Sequence, residues 1–319
     1  MVRRMSNSAA DQPERTRLVA VPSLVHRSTL ETLGLTSFHL SARAGYTRVI
    51  AGVTSHPTAT HLVQVPLWVD DAWLGIRQLV AALQLVRPDA VASHATAAIL
   101  FGWALPRRLQ RGSRIHVATT TRRIRRTDVF AHCLTDLTSV ECAGVRLTDP
   151  CQTLRDIAGM LSEVELHELL EGVCGTWHGP PSTTPEELLD RVPCWPRFRG
   201  SAQLLRVLPH VRTGVGSPQE TQLRRTIMLD GLPEPRVAHP VTIAGITFHP
   251  DLSYPRLCIA IEYEGDHHRT DSRQWDSDIR REELLRDSGW AYFRVTRSTH
   301  MREFLDRLAR EHTRRSGTT

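Results

Sequence analysis

The run LCIAIEY, residues 257–263, constrains the fold of this 319-residue chain more than any other stretch. Its apolar residues predict a buried central strand, yet Glu262 lies within the run and Glu264 follows it directly. Burying a carboxylate without a partner is costly or raises its pKa, so acidic groups at the end of a core strand usually face a cation. The run therefore predicts both the centre of a sheet and one side of a functional site.

A further carboxylate is expected at the same strand end. Side chains alternate along a strand, which places Glu262 and Glu264 on one face. Asp251 lies near the end of the preceding strand, close enough to meet Glu262 in an ordinary antiparallel register. Two or three carboxylates so close cannot all stay ionised without a cation, and oxygen-only ligands suit Mg²⁺ or Mn²⁺. We expect Asp251 and Glu262 to bind that metal ion.

The C-terminal third, residues 204–319, has the pattern of an α/β domain of the α+β kind. The predicted order is a helix, three strands, a helix, a strand and a closing helix. Its markers are the N-cap Ser217, the turn at 244–245, an amphipathic helix over 274–288, a strand over 290–296 and a helix over 302–312. A mixed sheet flanked by helices follows from this order.

Motifs in this third resemble those of the PD-(D/E)XK nuclease superfamily, in the branch related to very-short-patch-repair endonucleases. The matching residues are Glu220 in SPQETQ, Asp251 in HPDLSYP, Glu262 and Glu264 in IEYEG, the pair His267 and His268, and the D-x-x-R of Asp278 and Arg281. The resemblance implies a restriction-endonuclease-like sheet and hydrolysis of DNA phosphodiester bonds with Mg²⁺ or Mn²⁺.

The third signature position, often lysine in that superfamily, is Glu264 here. All 40 basic residues of the chain are arginine, so no lysine can replace it. Positioning of the attacking water then passes to Glu264, to His267 or His268, or to the metal ion alone, which can itself lower the pKa of bound water. Glu220 is expected either to contribute a direct or outer-sphere ligand or to form a capping box with Ser217, and the two roles can coexist.

Two other functions stay open at this point. One is a catalytically inactive DNA-binding regulator of antitoxin type that retains the nuclease fold. The other is a different phosphodiester substrate, such as RNA or a branched junction. The motifs alone do not separate these from a DNA endonuclease.

Arginines are expected to supply sequence-independent affinity for DNA. The formal charge of +6 and a sequence pI near 9.4 suit a polyanionic partner. The candidate phosphate contacts are Arg122, Arg123, Arg125 and Arg126 in RRIRR, together with His268, Arg280 and Arg281. The alternative is a solvated loop for the first group and an ordinary helical ion pair of Asp278 with Arg281 for the second.

The first two thirds of the chain divide into three predicted regions. Residues 1–17 read as a disordered tail, 18–60 as a helix-turn-helix or a small helical cap, and 61–200 as a mixed α/β domain. Over roughly 62–175 the blocks VASHATAAILFGWALP, IHVATTTRRIRR and GVRLTDPCQTLRDIA resemble, in order, those of the AbiEi family of type IV antitoxins. The resemblance implies a winged-helix DNA-binding start and an antitoxin-like middle, and it leaves a toxin or other protein partner open.

Apolar segments and the motif HELLE give two further predictions. The chain shows neither a secretory apolar segment nor the about 20 apolar residues needed to span a bilayer, so a cytoplasmic location without membrane contact is expected. The motif HELLE at His167 lacks the second histidine of a zincin motif and is interpreted as part of a helix surface.

Overall fold

The structure is a computed structural model that describes residues 16–32, 42–110, 114–121, 124–175, 181–264 and 282–317. The chain forms two compact units. The first comprises the described residues of Met1–Leu166, His178–Ser182 and Asp190–Arg206, and the second those of His167–Trp177, Thr183–Leu189 and Val207–Thr319. Both units combine helices with sheets, so the chain is of mixed α/β class. Among the described residues, no helix is both long and apolar enough to cross a membrane.

The first unit opens with a three-stranded antiparallel sheet. Its strands are β1 (Thr16–His26), β2 (Thr47–Ile50) and β3 (Val53–Pro66) in the order β1-β3-β2, with helix α1 (Arg27–Thr32) after β1. Strands therefore replace the helical structure predicted for most of 18–60, because β1 pairs along most of its length with β3. Most of the segment after the turn at Gly34 that would hold the second helix of the predicted helix-turn-helix lies outside the described residues, as does the predicted tail up to residue 15.

A five-stranded mixed sheet with flanking helices follows in the first unit. Its strands are β4 (Val91–Ala92), β5 (Ile115–Thr119), β6 (Val129–Cys133), β7 (Ser139–Cys142) and β8 (Val145–Thr148), in the order β6-β5-β4-β8-β7. The helices here are α2 (Asp71–Val86), α3 (His94–Leu100), α4 (Arg107–Gln110) and α5 (Pro150–Ala158). Helix α2 packs Val80 and Leu83 into the same core as Leu147 of β8. The mixed α/β character predicted for this region is thereby confirmed.

Three helices follow in the chain: α6 (Glu163–Cys174), α7 (Pro185–Arg191) and α8 (Ser201–Val207). Helix α6 begins at the predicted capping box, in which the Ser162 backbone N–H donates to Glu165 at 2.8 Å and the Glu165 N–H donates to the Ser162 hydroxyl at 3.3 Å. Such a box is a local pattern, which is why the sequence alone could place this helix start.

The second unit is built on a four-stranded mixed sheet. Helix α9 (Pro218–Leu229) leads into β9 (Arg236–Val237), β10 (Val241–Ile243), β11 (Ile246–Phe248), β12 (Leu252–Tyr254) and β13 (Ile259–Glu264), followed by α10 (282–287), β14 (Ala291–Thr296) and α11 (Met301–Ser316). The sheet order is β14-β13-β12-β9, and β10 and β11 form a separate hairpin. Strand β13 pairs antiparallel with β12 and parallel with β14.

Strand β13 is covered on both faces at its start and emerges at its end. Ile259 and Ile261 pack with β14, α9 and α11 on one face, and Ala260 packs with Phe248 and Leu285 on the other. Its last three residues are half-buried. The predicted central strand is thus confirmed, and its acidic end lies where burial gives way to solvent.

Candidate functional site

Asp251 and Glu262 lie opposite each other at the ends of two neighbouring strands. Leu252 pairs with Ile261 in the antiparallel register of β12 and β13, so the next positions outward are those of the two acidic residues. The Asp251 carboxylate accepts a 2.7 Å hydrogen bond from the backbone N–H of Tyr263, and its carbonyl accepts one of 3.0 Å from Ala238. The first bond holds the Asp251 side chain against the strand that carries Glu262, and the second holds its backbone to the end of β9.

Glu262 is oriented by a tyrosine from the other neighbouring strand. The Tyr292 hydroxyl on β14 donates a 2.7 Å hydrogen bond to Oε2 of Glu262. Burial, and then the adjacent Glu262 charge, raise the pKa of Tyr292, so the phenol keeps its proton and stays a donor. Glu262 is therefore held in place from β14 while Asp251 reaches the same strand from β12.

Arg294 places a guanidinium beside Glu264. It lies directly opposite Glu262 in the parallel register, 3.8 Å from Oε2 of Glu264, and it donates a 2.9 Å hydrogen bond to Glu282 of α10. Burial acts to lower the pKa of Arg294, but Tyr292, Glu264 and Glu282 together raise it above its ordinary value. The end of the sheet thus carries a fixed cation next to its acidic groups.

Glu220 forms the predicted capping box at the start of α9. The Glu220 N–H donates to the Ser217 hydroxyl at 3.3 Å, that hydroxyl donates to Oε1 of Glu220 at 2.9 Å, and the Gly216 N–H donates to Oε2 at 2.7 Å. Burial raises the pKa of Glu220, against the opposing effect of the Gly216 and Ser217 hydrogen bonds. Both oxygens of the Glu220 carboxylate therefore accept hydrogen bonds that cap the N-terminus of α9.

The sequence predicted two or three carboxylates at one point, and the structure places only the pair Asp251 and Glu262 opposite each other. Within the described parts of the chain, the single group of three metal-ligand side chains whose ligand atoms all lie within 4.8 Å is His94, His116 and His132. That group belongs to the first unit. Neither Glu220 nor Glu264 completes such a group with the carboxylate pair among the described residues.

Burial keeps the three histidines of the first unit neutral. Burial, followed by repulsion from His132, lowers the pKa of His94 to about 3 and that of His116 to about 4. Burial also lowers the pKa of His132. These side chains were not singled out by the sequence patterns, because they lie on three separate elements.

Of the residues predicted to contact phosphate, only Arg125 and Arg126 lie within the described parts of the chain, and their surroundings differ. Arg125 is exposed, whereas Arg126 forms two hydrogen bonds of 3.0 and 2.9 Å with Asp128, so its guanidinium is engaged within the protein. Outside the described residues lie Arg122, Arg123, His267, His268, Arg280 and Arg281. The predicted arginine track is thus described at two positions, one of which is in an ion pair.

The interpretation of His167 as part of a helix surface was wrong. His167 is 1% exposed, and Glu171, one turn later on α6, is 0% exposed. The buried Arg224 of α9 hydrogen-bonds to both, and Glu171 also accepts bonds from the Arg212 N–H at 2.9 Å and the Thr221 hydroxyl at 2.7 Å. Burial alone would raise the pKa of Glu171, but the hydrogen bond from His167, the charge of Arg224 and the hydrogen bond from Thr221 lower it. The HELLE motif contributes to a buried ion-pair network.

Tyr292 and Arg294 are site residues that the sequence analysis did not identify. A signal was present in WAYFRVT, where alternation puts both side chains on one face of the strand, but that face was not linked to Glu262. The link comes from the parallel pairing of β13 with β14, which joins segments about thirty residues apart in the chain.

Comparisons with known proteins identified no relative of this chain. The chain matches no protein-family model, no curated protein and no solved structure. The resemblances drawn from its motifs therefore stay predictions.

Proposed function

We propose that the second unit is a metal-dependent nuclease-like domain that hydrolyses DNA phosphodiester bonds. The observation that carries the proposal is the opposed placement of Asp251 and Glu262 at the half-buried end of the central strand. The mixed sheet of β9, β12, β13 and β14, with helices α9 and α11 packed on one face, supports a restriction-endonuclease-like fold as part of the same proposal.

The donor set fits Mg²⁺ or Mn²⁺. Asp251 and Glu262 offer hard carboxylate oxygens, the ligands these ions prefer. An ionised carboxylate has about four acceptor positions, so the hydrogen bonds from Tyr263 and Tyr292 orient the two groups and still allow metal ligation. When bound, such an ion lowers the pKa of a coordinated water and offsets charge on the phosphate.

Other side chains of the unit have supporting roles in this proposal. Tyr292 positions the Glu262 carboxylate, and the Tyr263 N–H positions that of Asp251. Glu264, which follows on the same face of β13, is the candidate general base. Arg294 lies beside Glu264 and supplies fixed positive charge in a chain without lysine. A developing negative charge on phosphate would be stabilised by that guanidinium.

Nicking of supercoiled plasmid DNA tests the proposal. We expect the full-length chain to nick the plasmid with Mg²⁺ or Mn²⁺ and not with chelator. Asp251→Asn and Glu262→Gln should each reduce the rate on the order of 10²-fold or more, since each removes a charged ligand. Asp306→Asn, on α11 of the same unit with a side chain 43% exposed, is the matched control and should nick at the original rate. Metal-dependent nicking that survives both ligand variants would contradict the proposal.

A DNA-binding regulator without cleavage is the second candidate. One observation favours it: no third carboxylate, histidine or cysteine joins Asp251 and Glu262 in a compact group within the described residues. Retardation of DNA without nicking, under Mg²⁺ and Mn²⁺ alike and unchanged in Asp251→Asn, would support this function over hydrolysis.

A further inference from the structure

We propose that His94, His116 and His132 form a binding site for one divalent transition-metal ion of the zinc class. The site lies in the first unit and is independent of the carboxylate pair in the second. It rests on the only compact group of three ligand-type side chains within the described residues.

Three different elements bring the histidines together. His94 begins α3, His116 lies on β5 and His132 lies on β6. Strands β5 and β6 are parallel, and Ala118 pairs with His132 two positions beyond the pair of His116 with Phe130, so both histidines project from one face of the sheet. The sheet register therefore sets two of the three ligands.

The start of α3 is fixed against the strand that carries His116. The Ser93 N–H donates a 3.0 Å hydrogen bond to the His116 carbonyl, and the His116 N–H donates one of 2.8 Å to the Thr96 hydroxyl. His94 itself has a backbone φ of +50°, a left-handed conformation that is strained for a non-glycine residue. Its ring stacks on that of His132, with ring centroids 3.6 Å apart.

The nitrogen spacing suits a shared ion. Nδ1 of His116 and Nε2 of His132 are 3.0 Å apart, and the ligand nitrogens of all three residues lie within 4.8 Å of one another. Around a tetrahedral Zn²⁺, nitrogens at about 2.0–2.1 Å from the metal are roughly 3.3 Å from each other. The three rings are stacked nearly parallel, so binding an ion requires them to turn until their nitrogens face one point, and the ion replaces the hydrogen bond between His116 and His132.

A buried carboxylate lies where it can support one ligand. Oδ2 of Asp156, on α5, is 3.5 Å from Nδ1 of His94, and its side chain is 6% exposed. That oxygen has no hydrogen-bond partner, while Oδ1 accepts a 2.6 Å bond from Gln152. A carboxylate facing one nitrogen of a metal-bound histidine fixes the tautomer and directs the other nitrogen to the ion. Asp156 is thus a positioning residue for His94.

The ligand set selects the chemical class of ion. Three imidazoles without a carboxylate ligand favour Zn²⁺, Co²⁺, Ni²⁺ or Cu²⁺, and disfavour Mg²⁺ and Ca²⁺, which prefer oxygen. Three protein ligands also leave a fourth tetrahedral position for water or another small ligand.

Titration of the metal-stripped, untagged full-length chain with Co²⁺ tests the site. In excess Mg²⁺, which fills the proposed carboxylate site, we expect one Co²⁺ per chain, with the visible d–d absorption of a nitrogen-ligated ion and no thiolate charge-transfer band, displaced by Zn²⁺. His116→Gln and His132→Gln should abolish the signal. His61→Gln, an exposed histidine on β3 of the same unit, should leave it unchanged. Asp156→Asn should weaken Co²⁺ affinity by about 10–100-fold while keeping the spectrum.

Two results would overturn the site. One is a native chain that binds no Co²⁺ or Zn²⁺ in the low-micromolar range. The other is binding that persists in His116→Gln and His132→Gln. Circular dichroism identifies variants that fail to fold. The titration of the native chain does not depend on the variants, so it tests the site even if they misfold. The variant Asp251→Asn should bind Co²⁺ as the native chain does, which separates this site from the proposed nuclease function.

Discussion

The hydroxyl of Tyr292 donates a 2.7 Å hydrogen bond to the carboxylate of Glu262 across the parallel pair of β13 and β14. The bond aims one acidic group at the strand end where Asp251 lies opposite it. Groups that hydrogen-bond to a metal ligand commonly change metal affinity by 10–100-fold when they are removed. The tyrosine therefore connects the fold of the sheet to its proposed chemistry.

Tyr292→Phe should weaken the affinity of the carboxylate site for Mg²⁺ without unfolding the unit. We expect the Mg²⁺ concentration for half-maximal nicking to rise by about 10-fold or more, because Glu262 loses its orienting donor. Tyr254→Phe is the matched control: it removes a 2.6 Å hydrogen bond to the Pro233 carbonyl and should cost about 1 kcal/mol of stability without changing the Mg²⁺ requirement. Equal Mg²⁺ curves for Tyr292→Phe and the native chain would contradict this role.

Substitutions at Glu220 should separate helix capping from metal ligation. Glutamine keeps a capping box, whereas alanine loses it, so Glu220→Ala should lower the free energy of unfolding by about 1 kcal/mol and Glu220→Gln by much less. Because Glu220 bonds to Gly216 and Ser217, we also expect Glu220→Gln to retain metal-dependent nicking. Loss of nicking in a stable Glu220→Gln variant would show a role in hydrolysis beyond the cap.

Removing Arg224 should strongly destabilise the second unit. Arg224 and Glu171 are buried together, and Arg224→Met leaves that carboxylate without its main cationic partner, a change that typically costs about 3–5 kcal/mol. Arg302→Met is the control, since Arg302 is 77% exposed in its pairs with Asp230 and Asp306 and should cost less than about 1 kcal/mol. Urea unfolding of the two variants measures the difference, and similar losses would contradict the buried network.

The Glu311 ion pairs on α11 should contribute stability that depends on pH. Hydrogen bonds from Arg314 and Arg315 lower the pKa of Glu311 from 4.5 to about 2. A folded-state pKa below the unfolded one stabilises the fold above about pH 4.5, and this contribution is lost as the pH falls towards 2. The melting temperature of Glu311→Gln should therefore lie below that of the native chain at pH 7, and the gap should narrow by pH 3. A gap that is constant with pH would rule out this origin.

Local patterns made parts of the fold predictable from the sequence. The capping boxes at Ser162 and Ser217 each depend on residues three apart, and both helices begin where those boxes predict. The strand predicted over 257–263 starts later, at Ile259, because Cys258 takes a left-handed φ of +51° after a tight turn. Hydrophobic pattern alone does not show such a turn.

Contacts between residues far apart in the chain could not be predicted from the sequence. His167 is buried because Arg224, 57 residues later, packs onto α6. Arg294 reaches Glu264 only through the parallel pairing of β13 and β14, and His116 meets His132 only through that of β5 and β6. Strand register between distant segments is set by tertiary packing, which residue spacing along one segment does not encode. The N-terminal sheet was missed for the same reason, since β1 is defined by its pairing with β3.

Electron paramagnetic resonance of Mn²⁺ tests the central claim most directly, because it counts ions at Asp251 and Glu262 without requiring catalysis. The account predicts about one Mn²⁺ per chain that Mg²⁺ displaces, that His132→Gln retains and that Asp251→Asn and Glu262→Gln both lose. Mn²⁺ binding that is absent from the native chain, or equal in the native chain and both carboxylate variants, would contradict it.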